Sequence, residues 1–318
     1  GHKDYKILYK CDLPDETNCV DIDNIILFHN LSYEQIEIEN NTMINWNVTG
    51  ERNKNYKLGL SAEIEAESFL VSDLNGNNAA TIQEIKTNYS DIYDRYTREQ
   101  QMNGKKYIDP NNVEIKAKAL EVASRTDAAN PFLIAKELFI WLKGNTNYAI
   151  HLVGNDVQMA HETYTLRTGD CDDLSFLYIS MCRSVGIPAR FVRGISINDV
   201  NGSVTGIPHE WAEVFVGKNI GRDGWIPVEC AGVAEDKDKI KTEVNQNFGI
   251  ERAHHLRLFE DQGSDESLNV SMSGPLIKYG SETDGTFEMS SFVIIHDYEI
   301  LKEDKLYIGA SGNRKYIS

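Results

Sequence analysis

The chain has 318 residues, 41% hydrophobic and 25% charged, a globular balance with room for one large domain or two ordinary ones. Its net charge of −17 argues against nucleic acid or an anionic membrane surface as a partner, because both would be repelled. No apolar run reaches the roughly eighteen residues that would span a membrane.

In chain order, Gly1-His2-Lys3 leads into no apolar stretch of the kind a signal peptide carries. Residues 1–70 read as β-rich. The runs 25–29, 42–48 and 56–67 carry alternating, β-branched or aromatic residues between Asn/Gly turns. Asp73-Leu74-Asn75-Gly76-Asn77-Asn78, with Thr81 and Glu84 beyond it, partly fits a calcium loop, but Gly is missing at its sixth position. We read it as a turn capping a helix that starts at Thr81.

Residues 81–96 place Ile82, Ile85, Tyr89, Ile92 and Tyr93 at helical spacing. Stretches 112–125 and 131–143 repeat the pattern, with Pro131 suited to a helix start. Residues 165–232 hold the chemistry-bearing segments. Residues 233–248 are rich in Lys, Asp and Glu and read as a surface excursion. Residues 255–318 return to strand-like runs, notably 287–295 and 306–309. The expected fold class is α+β. A β-rich N-terminal domain over 1–110 runs into a helical linker, and a catalytic domain covers 111–318.

Five cysteines is an odd number. Cys11 and Cys19 lie close enough in sequence to pair, and Cys182 and Cys230 can pair or stay reduced. If all four pair, Cys171 is the free thiol. An oxidised Cys11–Cys19 pair would suit an extracellular or cell-surface location, the one favoured here.

Three segments converge on one chemistry. Gly169-Asp170-Cys171-Asp172-Asp173 offers a thiol, His209-Glu210-Trp211-Ala212-Glu213-Val214 an imidazole, and Trp225-Ile226-Pro227-Val228-Glu229 a carboxylate. A thiol nucleophile, a base and a group that orients the base are what covalent acyl transfer needs.

From Cys171 onward, Leu174, Leu177, Tyr178, Met181 and Val185 form an apolar stripe, Gly186 fits the residue after the helix, and Pro188 stops any continuation. Cys171 therefore sits at a helix N-terminus, where backbone N–H groups favour a thiolate and an oxyanion. Asp170, Asp172 and Asp173 oppose that thiolate, so the helix end alone does not activate it and a cationic imidazole is needed.

The other two segments alternate as strands around the turn Gly217-Lys218-Asn219-Ile220-Gly221. A hairpin centred on Asn219 would put Trp211 opposite Pro227 and His209 opposite Glu229, on one face and about 5 Å apart at Cβ. A slip of one residue would send Glu229 to the other face.

These residues resemble the transglutaminase-like superfamily of papain-fold cysteine enzymes. The resemblance runs from about Pro131 to Ala231. It includes Trp141, Tyr148, the segment Thr168 to Asp173, Gly186-Ile187-Pro188-Ala189-Arg190, and the His209 and Glu229 segments. It implies a nucleophile at Cys171, a general base and acid at His209, and an orienting carboxylate at Glu229. It also implies a helix with the cysteine at its tip, packed against an antiparallel sheet. Glu229 departs from the Asp usual in the family, and Asp223 is a substitute placed less favourably in the turn. Gln158, Tyr164 and Trp141 are candidates for a side-chain oxyanion donor, Trp141 reading better as core. Arg190 reads as a strand anchor, and Trp211 and Trp225 as core or cleft wall.

The implied activity is hydrolysis of a peptide, isopeptide or side-chain amide through a thioester. Capture of the same intermediate by an amine, giving cross-linking, is the alternative, as is an inert binding or adhesion module on the same fold. The partner expected is a peptide, protein or cell-wall amide, with no cofactor or metal.

Overall fold

The computed structural model describes residues 3–13, 22–27, 33–46, 59–150, 157–200, 203–232, 237–272, 293–309 and 312–317. Cys19 and the side chain of Cys11 lie outside the described residues, as do residues 287–292 of the strand expected over 287–295.

The fold is α+β, as expected. One antiparallel sheet runs through most of the chain. Its order is His255–Glu260, Ala189–Val200, Ser203–Phe215, Ile294–Ile308, Lys3–Leu13, Leu60–Glu67 and Ile22–Leu27. Trp225–Val228 also pairs with Ser203–Phe215, and Arg314–Ile317 with Ile294–Ile308. The strands nearest the two ends of the chain, Lys3–Leu13 and Ile294–Ile308, are neighbours over most of their lengths. Among the described residues, the sheet ladder passes from this outer part to the strands that carry the candidate site through one register pair, Thr205 with Ile294.

Helices Val113–Ala123, Pro131–Asn145 and Ala160–Leu166 pack on the helix Cys171–Ser184, which in turn lies against Ala189–Val200 and Ser203–Phe215. The expected stripe of the cysteine helix is present. Beyond it, every residue from Asp172 to Arg183 is buried. The helix is the centre of the core rather than an amphipathic cover. Phe176, Ile179 and Cys182, off the stripe, pack into the main apolar cluster too. The helix ends as its sequence suggests, with Val185 at the C-cap and Gly186 at φ +82°.

Local signals place several helix starts. Thr81 caps its helix with a reciprocal Thr81–Glu84 box, Asn112 caps Val113–Ala123, and Asn130 precedes Pro131 in the first turn of the next helix. Three elements differ from expectation. The periodic stretch 81–96 is two helices, Ile82–Asn88 and Ser90–Tyr96, broken at Tyr89 (φ −134°, ψ 45°), whose ring turns edge-on to Phe215. The charged stretch 233–248 contains a helix, Lys237–Asn247. Its two apolar residues, Ile240 and Val244, stand at i, i+4 and face inward, with Ile240 reaching Gly144, and the buried Phe248 follows directly after its end. The C-terminal strand Ile294–Ile308 is much longer than the run 306–309 that marked it.

Candidate active site

Cys171 opens its helix, and two nearby features fix that tip. Asp173 is fully buried and accepts the backbone N–H groups of Asp170 (3.0 Å) and Gln158 (2.7 Å). Gly169 lies against it, and a Cβ there would come within 2.5 Å of the Asp173 Cβ. Thr168–Gly169 also pairs in parallel with Asn147–Tyr148. The acidic run before and after the cysteine is thus part scaffold, with Asp173 turned inward as a cap.

The Cys171 thiol is partly buried and donates to Asp172 Oδ1 at 3.4 Å. Burial first, then the charges of Asp172, Glu210 and Asp170, push its pKa well above the ordinary thiol value. The backbone N–H of Glu210 lies by the sulfur and acts in the opposite direction. That contact puts the cysteine beside the residue that follows His209. Cys182 and Cys230 are free, unpaired thiols deep in the core.

His209 and Glu229 meet at 2.7 Å, imidazole Nε2 to carboxylate Oε2. Their register differs from the expected hairpin. Ala212 pairs with Val228 and Glu213 with Pro227, two residues away from the hairpin centred on Asn219. Parity survives a shift of two, so Glu229 stays on the His209 face.

Glu229 is held from several directions. Its N–H donates to Asn247 O (2.9 Å), its Oε1 accepts from Ala231 N (2.8 Å), and the buried Lys143 ties down the following loop through the carbonyl oxygens of Cys230 (3.0 Å) and Ala231. Burial would raise the Glu229 pKa, but His209, His255 and Lys143 overcome it and hold the carboxylate ionised. Burial would likewise lower His209. The charge and hydrogen bond of Glu229, with Asp172, reverse that and raise it above its usual value. With Nε2 engaged by Glu229, Nδ1 is the nitrogen left to exchange a proton.

Sequence reasoning did not single out His255, Glu210 or Tyr148 as site residues. The His255 ring packs against both Trp211 and His209 (centroids 5.4 and 4.9 Å), with Nδ1 3.7 Å from Glu229 Oε2. Its strand lies two places away from that of His209. The intervening strand carries Gly194 opposite His209, at a bulge where a Cβ would come within 1.9 Å of Leu256 O. Long-range pairing of this kind leaves no local signal. Burial pulls the His255 pKa well below the usual value, so its ring is neutral.

Glu210 is fully buried on the sheet face that meets the cysteine helix. Arg193 Nε approaches its Oε2 to 3.3 Å, yet neither carboxylate oxygen makes a hydrogen bond. Burial and the Asp172 charge outweigh Arg193 and raise the Glu210 pKa well above the usual carboxylate value. Tyr148 brings a phenol into the same charge field. Burial, then Cys171, Asp170, Glu229 and Asp172, push its pKa up to about 12, so it stays a hydrogen-bond donor.

The remaining sequence candidates take structural places. Trp141 is buried and stacks on Tyr164 (5.9 Å), with Arg167 over both rings. Gln158 is buried, and its Oε1 lies 3.5 Å from Thr163 Oγ1. Arg190 anchors its strand to Glu213 (2.7 Å) and Glu260 (3.0 Å) and covers Trp225. Trp211 is core, its indole donating to Glu251 at 3.2 Å. Asp223 is exposed in its turn at φ +50°. The Asp73–Asn78 segment spends its oxygens locally, Asp73 accepting from Asn75 and Asn75 from Asn77, ahead of the Thr81 cap.

Residues 118–230 match the model of the transglutaminase-like superfamily. No curated protein sequence matches the chain. Among solved structures the chain is similar to a candidate cysteine protease from Cytophaga hutchinsonii, at 13% identity over 82% of this chain and 83% of that one, with a TM-score of 0.49. It is also similar to the periplasmic domain of TgpA from Pseudomonas aeruginosa. Without ligand, that domain matches at 13% identity over 78% of this chain and 75% of its own, TM-score 0.38. With ethylmercury bound the values are 12%, 75%, 93% and 0.36. No helix among the described residues is long and apolar enough to cross a membrane.

Proposed function

We propose that this chain, whose residues 118–230 match the model of the transglutaminase-like superfamily, is a cysteine hydrolase that cleaves an amide through a thioester on Cys171. The observation that carries this reading is the 2.7 Å bond that holds His209 Nε2 against an ionised Glu229, on the strand whose next backbone N–H lies by the Cys171 sulfur. In this reading His209 Nδ1 takes the thiol proton as the sulfur attacks the carbonyl, and the imidazolium returns it to the leaving amine. Water then repeats the cycle on the thioester. N–H groups of the helix first turn stabilise the oxyanion, and Glu229 stabilises the imidazolium and fixes its tautomer.

The resting thiol is neutral and bonded to Asp172, so proton transfer accompanies attack instead of preceding it. The substrate class is a peptide, isopeptide or side-chain amide, with an extracellular or cell-surface protein or cell-wall peptide as the setting.

The test is to incubate wild type, Cys171→Ala and His209→Ala with glutamine-containing and branched peptides, with and without a primary amine. Mass spectrometry follows the Cys171 acyl adduct and the products. An adduct that decays to free acid supports hydrolysis, and one that decays to the amine conjugate supports cross-linking. A wild type that forms no adduct with any substrate class would favour an inert binding module.

A further inference from the structure

His209, Glu229 and His255 bring two imidazoles and a carboxylate together, and one ligand atom from each lies within 4.8 Å of the others. The separations are 2.7 Å from His209 Nε2 to Glu229 Oε2 and 3.7 Å from that oxygen to His255 Nδ1. Ligands about 2.0–2.1 Å from a tetrahedral ion stand about 3.3 Å from each other. The shorter contact must open by about 0.6 Å and the longer one close by about 0.4 Å to reach that spacing. Two nitrogens with one carboxylate, leaving a fourth position for water, is a donor set that suits zinc-class divalent ions rather than calcium or magnesium.

The site is also prepared. The strand bulge at Gly194 and the stack on Trp211 fix the His255 ring, and the other Glu229 oxygen stays anchored on Ala231 N–H at 2.8 Å. Anchoring the ligating groups from behind is what makes a metal ligand set effective.

We propose that His209, Glu229 and His255 form a binding site for a zinc-class divalent ion that is separate from the Cys171 thiol. The ion replaces the proton on His209 Nε2, which leaves to solvent, and bridges the imidazole to the Glu229 carboxylate. Its effect on turnover rests on the hydrolase reading. With Nε2 and Glu229 bound to metal, the imidazole cannot become the stabilised imidazolium, so the bound ion is a reversible inhibitor.

The experiment is Zn²⁺ titration by calorimetry of wild type, Cys171→Ser, His255→Gln and His255→Asn, with the cobalt(II) absorption spectrum of wild type alongside. Both measurements read binding without activity, so they stand even if no substrate is found. The expected result is one ion per chain in wild type and Cys171→Ser, and an affinity at least about tenfold weaker in both His255 variants. Cobalt should show no sulfur charge-transfer band. Loss of binding in Cys171→Ser with retention in His255→Gln, a sulfur band on cobalt, or no stoichiometric binding to wild type would each overturn the site. The cobalt spectrum of wild type decides the matter should the His255 variants fail to fold.

Discussion

Glu229 reaches His209 at 2.7 Å although the sheet does not oppose them: the ladder that joins Ala212 to Val228, carried one step on, puts Glu229 across from Trp211. The pair is diagonal, and the side chains rather than the register close the gap. Diagonal neighbours stand about 7–8 Å apart, within reach of long side chains. Glu229→Asp removes one methylene from that reach. Its kcat should fall by about tenfold or more, and Glu229→Gln, which loses the charge but keeps the length, should fall by about 10²–10⁴-fold. Steady-state kinetics on the two variants separates reach from charge. Equal activity in wild type and Glu229→Gln would remove the carboxylate from the mechanism.

The pH–rate profile should carry the signature of the same pair. In the proposed mechanism His209 acts as a base only when neutral, and Glu229 raises its pKa. Activity should therefore rise with pH through a limb that lies above the usual histidine value of about 6.5. In Glu229→Gln that limb should move to lower pH, because the anion that held the proton is gone. A limb that stays in place would show that another group controls it.

His255 should make the fold acid-sensitive. Its folded pKa is depressed, chiefly by burial, so below about 6.5 the unfolded chain binds a proton that the folded one refuses. Stability is lost as pH falls from there. The His209–Glu229 pair has the other signs. The raised His209 contributes fully below about 6.5 and fades as pH rises through its folded value, whereas the depressed Glu229 contributes above about 4.3 and fades as pH falls through its folded value. Urea unfolding at several pH values should give His255→Asn a shallower decline than wild type just below pH 6.5, whatever its stability at pH 7.

Glu210 should be a site of stored instability. Burial raises its pKa well above the usual carboxylate value in the fold, both oxygens lack hydrogen bonds, and the unfolded chain ionises it freely at neutral pH. Glu210→Gln removes that ionisation at similar volume and should raise the unfolding free energy at pH 7 by on the order of 1 kcal/mol. The gain should shrink as the pH approaches the unfolded carboxylate value of about 4.3. A destabilised variant at pH 7 would mean that Glu210 is ionised against Arg193.

Much of the site was legible because it is written in local patterns. The helix start at Cys171, the stop at Gly186 and the parity that puts His209 and Glu229 on one face are all short-range. The strand offset was not, because a turn centred on Asn219 and one shifted by a residue bury the same faces. His255 was invisible for a different reason. It joins the site across the strand Ala189–Val200, through a bulge that needs Gly194, and nothing near residue 255 announces that neighbour. The helix Lys237–Asn247 was hidden by composition, since its two apolar residues, Ile240 and Val244, suffice to seat a helix whose other faces are polar.

The enclosure of the cysteine helix shapes how the sequence can vary. A surface helix tolerates exchange on one side, so a saturation mutagenesis map shows a beat of about 3.6 residues. Here Asp172 through Arg183 touch protein on every side, and the map should read as an unbroken block of intolerance. Variation that retunes this site has to enter through the strand ends and loops around the helix tip, while the helix that carries Cys171 is inherited whole.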